Sequence, residues 1–574
     1  MRQRAAIRSA TDSRSGVNGR ARVQPDRLGD APLVVEKCHD QFDGLVAMAA
    51  EFLAERRYAQ AAVASQIAAS HAAYNHSGAF ASARLEQVLL AIGAATAPGV
   101  ARPGARTDDG AIRRVLHVLS AAKDVGGDSR FVWRFILGDS GRRHSVALTQ
   151  QSNHEVPRDL RDAVEATGGE VQALDSVATD VLGRARALKA LSANADVVFL
   201  HVYPEDIVPL VAFSEKAQAP RIAFVVHADH QFWLGVSISD LFVHLRESGV
   251  SLSEQRRGIP RERMAFLPIP LEPVTRRMAR ADAKKQLQLS EDTVVLLSIA
   301  RAVKYAPVSG LSFPEVVEPI LRTYPEAVLL AVGPSSTSDW TECHERTNGR
   351  IRALGQRSDT ELFYQAADIY LDTFPFSSPT SALEAGSYGV PLVSYRPYPR
   401  ECDFLGPGAP GLDATVIRAP SLEAYHQVVS GLIEDPTLRW RIGEETKQQI
   451  RHHHSGDGWR RQLQNVYAAI SRMPPNEPAP PQGPMEVRTG AGDLLLSRLY
   501  AGHAPLGWVI GWYARHLPYG PRVRLLIRML RLDRSFSFGL FLPEWLNQRL
   551  SSRMRGWRRW PGVSWWLRVR VTST

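Results

Sequence analysis

The sequence predicts an α/β protein with two Rossmann-like domains facing a cleft, an N-terminal helical segment and a C-terminal appendage rich in Arg and Trp. Short runs of β-branched residues alternate with helix-like stretches, and this alternation is typical of a parallel sheet covered by helices. The alternation occurs twice, and the segment "RMAFLPIPLEP", with three Pro, joins the two series. The length of 574 residues is enough for several domains.

The N-terminal part contains no strand pattern. Residues 1–30 are basic without an apolar stretch, so we expect a disordered arm and not a secretory signal. Residues 33–95 are rich in Ala and free of Pro, which predicts a helical domain. Pro and Gly interrupt the pattern at residues 96–111, so this segment is predicted to be a linker.

The α/β body divides into two domains. Residues 112–275, with strands such as "RRVLHVLS" and "RIAFVVHA", form the predicted N-terminal Rossmann-like domain. Residues 276–470, with "TVVLLSIAR", "EAVLLAVG" and "GVPLVSY", form the predicted C-terminal Rossmann-like domain. Residues 472–490 are a Pro-rich linker, and residues 494–574 are a basic amphipathic helical tail.

Charge and cysteine content exclude several protein classes. The net charge is +10, but the segment from Leu496 to the end holds 14 Arg and two acidic residues, so the rest of the chain is slightly acidic. A uniformly basic nucleic-acid binder is therefore excluded. Three scattered Cys are too few for a disulfide framework or a Cys-based zinc site. No apolar run is long enough to span a bilayer, and a cytoplasmic protein is expected.

The stretch "DTFPFSSPTSALEAGSYGVPLVSY" predicts an anion site. A strand ends at Asp372, Ser378 precedes a Pro as the N-cap, and a helix is expected to begin near Thr380. The helix N-terminus attracts anions, and Thr380 and Ser381 add hydroxyl donors. Glu384, one turn further, can accept hydrogen bonds from ribose hydroxyls. The alternative is an ordinary crossover with a good cap.

This stretch resembles the nucleotide-sugar region of GT-B glycosyltransferases, and it is most similar to the O-linked N-acetylglucosamine transferases of family 41. The shared pattern is an Asp-Thr at the strand end, an acidic residue 12 positions on, and Gly389-Val390-Pro391 after it. The Glu384–Ala385 pair is similar to half of the two-glutamate motif of family 4, whose first glutamate would stand at Phe376. The resemblance implies donor binding by Asp372, and inversion is favoured over retention.

A second match is "SIARAVKYAP", where Arg301 ends a strand and Lys304 follows. The segment from Lys304 to Pro307 resembles the Lys-x-x-Pro turn of family 41. The resemblance implies that these cations contact the donor pyrophosphate, so no metal ion is expected to be needed there. The alternative is a solvated pair of cations in a loop.

The N-terminal domain supplies the predicted acceptor side. Gly126 and Gly127 follow the first strand and resemble the glycine-rich loop of GT-B enzymes. His227, Asp229 and His230 follow the strand "RIAFVVHA". We expect His227 or Asp229 to act as the catalytic base, with His230 beside them in the acceptor loop. The alternative is a structural His with a capping Asp, and zinc binding by the two His is disfavoured because a third ligand is missing.

Other histidines are weaker candidates. His117 and His201 lie within or near the ends of strands, and the run from His452 to His454 is expected to be a solvated helix end.

Seven of the 12 Trp lie in residues 494–574, mixed with Arg and Leu. This composition suits an anionic membrane surface, which would make the protein peripheral on the inner face of the membrane. The alternative is a small helical subdomain whose Arg residues face solvent. No nucleic-acid partner is expected.

The sequence therefore predicts a metal-independent hexosyltransferase without a cofactor, active in polysaccharide biosynthesis. It would move a hexose or N-acetylhexosamine from a nucleotide-diphosphate sugar, with UDP favoured, to a glycan or lipid-linked acceptor. Two alternatives stay open at this point: a nucleotide-sugar epimerase on the same fold, and a non-catalytic glycan-binding or scaffold protein.

Overall fold

The computed structural model describes residues 31–97, 111–124, 126–152, 154–307, 310–406, 408–473, 490–500, 504–532, 536, 538–543 and 546. The predicted arm at residues 1–30, most of both predicted linkers, and all of the tail beyond residue 546 lie outside the described residues.

The described strands form two parallel sheets, one in each predicted domain. The strands of the first sheet are β1 (Arg114–Leu119), β2 (Arg143–Leu148), β3 (Val171–Ala173), β4 (Val197–His201), β5 (Arg221–Val226), β6 (Leu241–His244) and β7 (Met264–Phe266). The strands of the second sheet are β8 (Val294–Ile299), β9 (Ala327–Val332), β10 (Ile351–Ala353), β11 (Ile369–Leu371), β12 (Leu392–Tyr395) and β13 (Ile417–Ala419).

Helices precede, cover and follow these sheets. In the first half they are α1 (Ala31–Ala54), α2 (Tyr58–Tyr74), α3 (Ala83–Thr96), α4 (Gly127–Gly138), α5 (Arg158–Ala166), α6 (Val181–Ser192), α7 (Val208–Ala212) and α8 (Glu247–Arg257). In the second Rossmann-like domain they are α9 (Arg280–Gln286), α10 (Phe313–Thr323), α11 (Ser338–Arg346), α12 (Thr360–Ala366), α13 (Pro379–Ser387), α14 (Leu422–Glu434), α15 (Pro436–His454) and α16 (Gly456–Arg472). The C-terminal segment contains α17 (Ala491–Tyr500), α18 (Leu506–Ala514) and α19 (Tyr519–Met529).

The sheet topologies confirm the predicted fold class. The first sheet has the order β3-β2-β1-β4-β5-β6-β7 and the second the order β10-β9-β8-β11-β12-β13. In each sheet the strand order reverses direction beside the first strand, and ligands of such sheets bind at the carboxyl edge near this switch point. The strands are buried on both faces because helices cover both sides, which explains their continuous Val, Ile and Leu runs.

The last helix of the body returns to the first domain, which completes the GT-B arrangement. Trp459 of α16 packs edge-on against Phe135 of α4, with ring centroids 5.6 Å apart, and its indole N–H donates to the Pro268 carbonyl at 2.8 Å. Arg221 of β5 donates to the Met473 carbonyl at 2.5 Å. The two domains are therefore tied together at their base, opposite the carboxyl edges of the strands.

The histidine run at the end of α15 differs from the expectation of a solvated helix end. His454 is buried, and its ring nitrogens lie 2.8 Å from the Ile269 carbonyl and 2.7 Å from the Pro410 carbonyl. The chain turns sharply from α15 into α16 at this point, and the third residue of the run faces the interior.

The N-terminal helices and the tail share one core with the first domain. Val509, Ile510 and Leu525 of the tail pack in the same apolar cluster as Phe42 of α1 and Ile67 of α2. The predicted helical segment at residues 33–95 consists of three helices. The described part of the appendage is thus an extension of that helical segment, joined to it by packing that single-sequence patterns do not reveal.

No helix among the described residues has both the length and the apolar character needed to cross a membrane.

One buried carboxylate fastens the helical segment to the first Rossmann-like domain. Glu86 of α3 is fully buried and accepts backbone hydrogen bonds from Gly235 at 2.7 Å, Val236 at 3.1 Å and Ser237 at 2.7 Å. The Ser237 hydroxyl donates to the same side chain. Burial raises the pKa of Glu86, whereas these hydrogen bonds oppose the shift.

We expect Glu86→Ala to destabilise the protein by about 2–4 kcal/mol, because it leaves three buried backbone donors without an acceptor. The measurement is the thermal unfolding transition followed by circular dichroism. Glu36→Ala, at an exposed position of α1, is the matched control and should change stability by less than about 0.5 kcal/mol. Equal melting temperatures for the two variants would show that the buried carboxylate does not hold the segments together.

Candidate active site

Asp372 fixes the loop between β11 and α13. Its Oδ1 atom accepts from the backbone N–H groups of Thr373 at 3.0 Å and Ser378 at 3.1 Å. Its Oδ2 atom accepts from the Ser394 hydroxyl of the neighbouring strand at 3.0 Å. The side chain is 2% exposed. In this arrangement Asp372 holds the loop in shape, so its contribution to ligand binding is through the loop and not through its own oxygens.

The loop presents the N-terminus of α13 to the cleft. The helix begins at Pro379, one residue before the expected start. Ser378 occupies the N-cap position as predicted, but its side chain makes no cap hydrogen bond and instead donates to the Ser381 hydroxyl at 3.2 Å. Amides of the first turn have no partner within the helix, so this end keeps its capacity to bind an anion.

Lys304 lies beside this helix end. It belongs to the short 3₁₀ turn Ala302–Tyr305 after β8, and its ammonium donates to the Ser377 carbonyl at 2.7 Å. The ammonium also lies 4.9 Å from the centre of the Phe376 ring. Burial lowers the pKa of Lys304 to about 7, and the nearby Arg301 acts in the same direction. An added negative charge would raise this pKa, so the site favours an anionic ligand.

Arg301 occupies the start of the same turn and is exposed. The two predicted cations therefore differ in exposure. The Lys304 ammonium is half-buried, whereas the Arg301 guanidinium is exposed.

The glycine-rich loop of the first domain faces the same helix end. Gly126 precedes α4 with a φ of 151°, a backbone conformation that favours glycine. A Cβ atom added to Gly127 would lie 3.2 Å from the Thr380 hydroxyl. The two domains therefore approach each other closely at Gly127 and Thr380, and a larger residue would narrow the space between them.

Glu384 connects the two domains through ion pairs. Its Oε1 atom lies 2.8 Å from Arg130 Nη1 and 3.2 Å from Arg134 Nη2, both on α4 of the first domain. Its Oε2 atom accepts from the Tyr364 hydroxyl at 3.1 Å. These two arginines were not predicted from the sequence, and their i, i+4 spacing on the helix after the glycine loop is the signal that indicates a shared face.

Asp229 is held by an arginine. Arg246 contacts both carboxylate oxygens, at 2.6 Å through Nε and 2.5 Å through Nη2, and also donates to the Gly406 carbonyl of the second domain at 2.9 Å. Burial opposes ionisation, but the Arg246 charge outweighs it and holds the pKa of Asp229 well below its usual range. A carboxylate with so low a pKa is a poor proton acceptor.

His230 contacts the donor loop. Its ring packs against Phe376 with centroids 4.7 Å apart, and its Nδ1 atom lies 3.4 Å from Asp229. Burial lowers the pKa of His230, while Asp229 raises it. His230 thus lies between the acceptor loop and the loop that carries Phe376.

His227 lies at the end of β5, where the cleft begins. Its Nε2 atom is 3.0 Å from His201 Nδ1, and its Nδ1 atom is 3.6 Å from the exposed carboxylate of Asp128. Burial lowers the pKa of His227 and Asp128 opposes this shift, so the imidazole is neutral near pH 7. Both predicted bases are therefore unprotonated near pH 7, but His227 is the more basic of the two, since Arg246 contacts both oxygens of Asp229 and lowers its pKa.

A comparison with protein families found a match in the second half of the α/β body. A family model described as "Glycosyl transferases group 1" matches residues 279–449, which lie within the second Rossmann-like domain. No curated protein matches the chain.

Several solved structures are similar in fold. HepE of Anabaena in complex with UDP and glucose has 12% identity and a TM-score of 0.47, and the alignment covers 63% of this chain and 100% of that one. A mutant O-GlcNAc transferase of Thermobaculum terrenum has 18% identity and a TM-score of 0.48, covering 78% and 84%. WaaG, a glycosyltransferase involved in lipopolysaccharide biosynthesis, has 14% identity and a TM-score of 0.43, covering 62% and 99%.

The structure brings the predicted residues of both domains to one cleft. Lys304, Ser378, Thr380 and Ser381 surround one helix end, and Glu384 follows within the first two turns of that helix. The acceptor-side residues Gly127 and His230 contact the same region, through Thr380 and Phe376. The roles of these residues in binding and catalysis remain predictions.

Proposed function

We propose that the protein is a glycosyltransferase that moves a hexose or N-acetylhexosamine from a UDP-sugar to a glycan or lipid-linked acceptor. The observation that carries the proposal is that a half-buried lysine lies beside an uncapped helix N-terminus. Lys304 Nζ is 2.7 Å from the carbonyl oxygen of Ser377, which comes two residues before Pro379, where that helix begins. Both groups favour negative charge, and they lie at the carboxyl edge of the sheet in the group 1 domain.

The diphosphate of the donor would bind between Lys304 and the first turn of α13. Lys304 would leave the Ser377 carbonyl for a phosphate oxygen, and the amides and hydroxyls at Thr380 and Ser381 would donate to the other oxygens. As the bond between the sugar and the diphosphate breaks, negative charge grows on the leaving oxygen. The fixed cation and helix end stabilise that charge without having to reorient.

Glu384 would hold the ribose. Two arginines of α4 now neutralise its carboxylate, and ribose hydroxyls would replace part of these contacts. Arg130 and Arg134 would then be free to contact the donor phosphates. This exchange would couple donor binding to the spacing of the two domains, since the arginines and the glutamate belong to different domains.

His227 would take the proton of the acceptor hydroxyl. The hydroxyl O–H bond breaks as an N–H bond forms on the imidazole, and the oxygen then bonds to the anomeric carbon while the diphosphate leaves. We expect inversion, because the base and the leaving group would lie on opposite sides of the sugar. Asp229 would keep Arg246 in place between the domains.

A membrane surface is the proposed location of the acceptor. Trp508 and Trp512 of α18 are 57% and 53% exposed and stack with centroids 5.6 Å apart. Exposed Arg515, Arg524 and Arg531 accompany them, and residues 504–532 contain no acidic side chain. Stacked exposed indoles among arginines suit the interface of an anionic bilayer.

We expect Lys304→Ala to weaken UDP binding by about tenfold to a hundredfold, since a hydrogen bond to a charged group contributes about 1.5–3 kcal/mol. Isothermal titration calorimetry measures the effect. Lys285→Ala, at an exposed lysine of the same domain, is the matched control and should bind UDP like the wild type.

Because the free Lys304 has a pKa of about 7 and phosphate raises it, wild-type affinity should fall as the pH rises above 7, and the alanine variant should lose this dependence.

Equal UDP affinity in the Lys304 and Lys285 variants would contradict the proposed donor site. Incubation of the UDP-sugar without an acceptor provides a second check, since an epimerase would change the configuration of the sugar, whereas a transferase would leave that configuration unchanged.

The membrane proposal predicts that a Trp508→Ala/Trp512→Ala variant binds vesicles of anionic phosphatidylglycerol about tenfold more weakly than the wild type. Vesicle co-sedimentation measures the binding. Trp440→Ala is the control, because Trp440 is 70% exposed on α15 of the donor domain. The proposal is wrong if the wild type does not bind these vesicles, or if the control variant loses as much binding as the double variant.

A further inference from the structure

Four histidines form a continuous hydrogen-bonded chain across the first sheet. His144 of β2, His117 of β1, His201 of β4 and His227 after β5 follow one another in space. The ring nitrogens are 3.0 Å apart between His144 and His117, 3.1 Å between His117 and His201, and 3.0 Å between His201 and His227. The first three side chains are at most 3% exposed.

The strand register produces this diagonal chain. His144 pairs with Val115, two residues before His117, and His201 pairs with Leu119, two residues after it. Each step therefore moves one strand across the sheet and two residues towards the carboxyl edge. All side chains stay on one face of the sheet, because side chains alternate with a period of two. The chain runs from the base of the domain to the cleft.

Aromatic rings isolate the chain from water. Phe135 packs edge-on against His117 at 4.9 Å, and Phe131 packs edge-on against His227 at 5.0 Å. Burial holds the pKa values of His117 and His201 well below the ordinary range. These imidazoles are therefore neutral near pH 7, and each has one ring nitrogen that donates and one that accepts.

The far end of the chain fixes the direction of all these bonds. His144 Nε2 lies 3.0 Å from the backbone carbonyl of Asp139 and 3.4 Å from its carboxylate. Tyr467 and Arg142 donate to the same carboxylate, both at 2.6 Å, so it is an acceptor. Only a protonated Nε2 atom can bond to these two acceptors. In its neutral form His144 is then the Nε2–H tautomer, and its Nδ1 atom accepts.

The direction of donation at His144 determines the direction of each following hydrogen bond in the chain. His117 Nε2 must donate to His144 Nδ1, His201 Nε2 to His117 Nδ1, and His227 Nε2 to His201 Nδ1. At the cleft end, Asp128 would favour the opposite tautomer of His227. The Asp128 side chain is 62% exposed and 3.6 Å away, which is beyond hydrogen-bond distance and screened by water. The buried contact at Asp139 is therefore the stronger constraint.

We propose that His117, His144 and His201 are positioning residues that set the tautomer of His227, leaving its Nδ1 lone pair directed to the cleft to accept a proton. The proposal rests on the proposed function only where it assigns that proton to an acceptor hydroxyl. When Nδ1 takes the proton, the Nε2–H group still donates to His201, which stabilises the new positive charge. A histidine with the other tautomer would present an N–H group to the acceptor hydroxyl and could not remove its proton.

The direct test is the tautomeric state of the wild-type protein. Long-range ¹H–¹⁵N correlation spectra at pH 7.5 distinguish a protonated from an unprotonated ring nitrogen, and His227→Gln identifies the His227 signals. We expect all four histidines to be Nε2–H tautomers with unprotonated Nδ1 atoms. A His227 that carries its proton on Nδ1 overturns the proposal.

The second test breaks the chain. We expect His201→Phe to shift His227 towards the Nδ1–H tautomer and to lower kcat of sugar transfer by about tenfold to a hundredfold, with an unchanged KM for the UDP-sugar. His201→Gln supplies one acceptor and one donor and should recover part of the activity. An unchanged His227 tautomer in the phenylalanine variant contradicts the proposal. Wild-type protein with the predicted tautomers but without transfer to any acceptor would contradict the proposed function and leave the histidine chain standing.

Discussion

The candidate site depends on one loop held by one carboxylate. Asp372 accepts three hydrogen bonds from Thr373, Ser378 and Ser394, and these bonds fix where α13 begins and where the Ser377 carbonyl points. The ammonium of Lys304 can then donate a hydrogen bond to that carbonyl, close to the helix end. Without the fixed loop, neither the cation nor the helix dipole would be aimed at one point.

Charge also determines how the two domains face each other. Glu384 with Arg130 and Arg134, and Asp229 with Arg246, are ion pairs at the domain boundary. They are buried or half-buried, so breaking one without replacing its partner is costly. In the proposed function, a donor with two phosphates and a ribose would supply replacement partners for these groups. Donor binding would then be linked to the contacts between the two domains.

The sequence predicted the fold, and it identified the residues that meet around the N-terminus of α13; the reasons are local. Strand runs, the Pro after Ser378 and the position of Lys304 after a strand are patterns that neighbouring residues determine. Contacts between distant segments were not predictable in the same way. No local pattern distinguishes Arg130, Arg134 or His144, because only the packed domains and the strand register bring them to Glu384 and His117. The choice between His227 and Asp229 likewise needed the contact with Arg246.

A structure of the protein with UDP tests the central claim most directly. The account predicts that diphosphate oxygens lie within hydrogen-bond distance of both Lys304 Nζ and the backbone N–H of Thr380, with the ribose hydroxyls at Glu384. A complex in which Lys304 stays on the Ser377 carbonyl, while the diphosphate binds elsewhere, would contradict it.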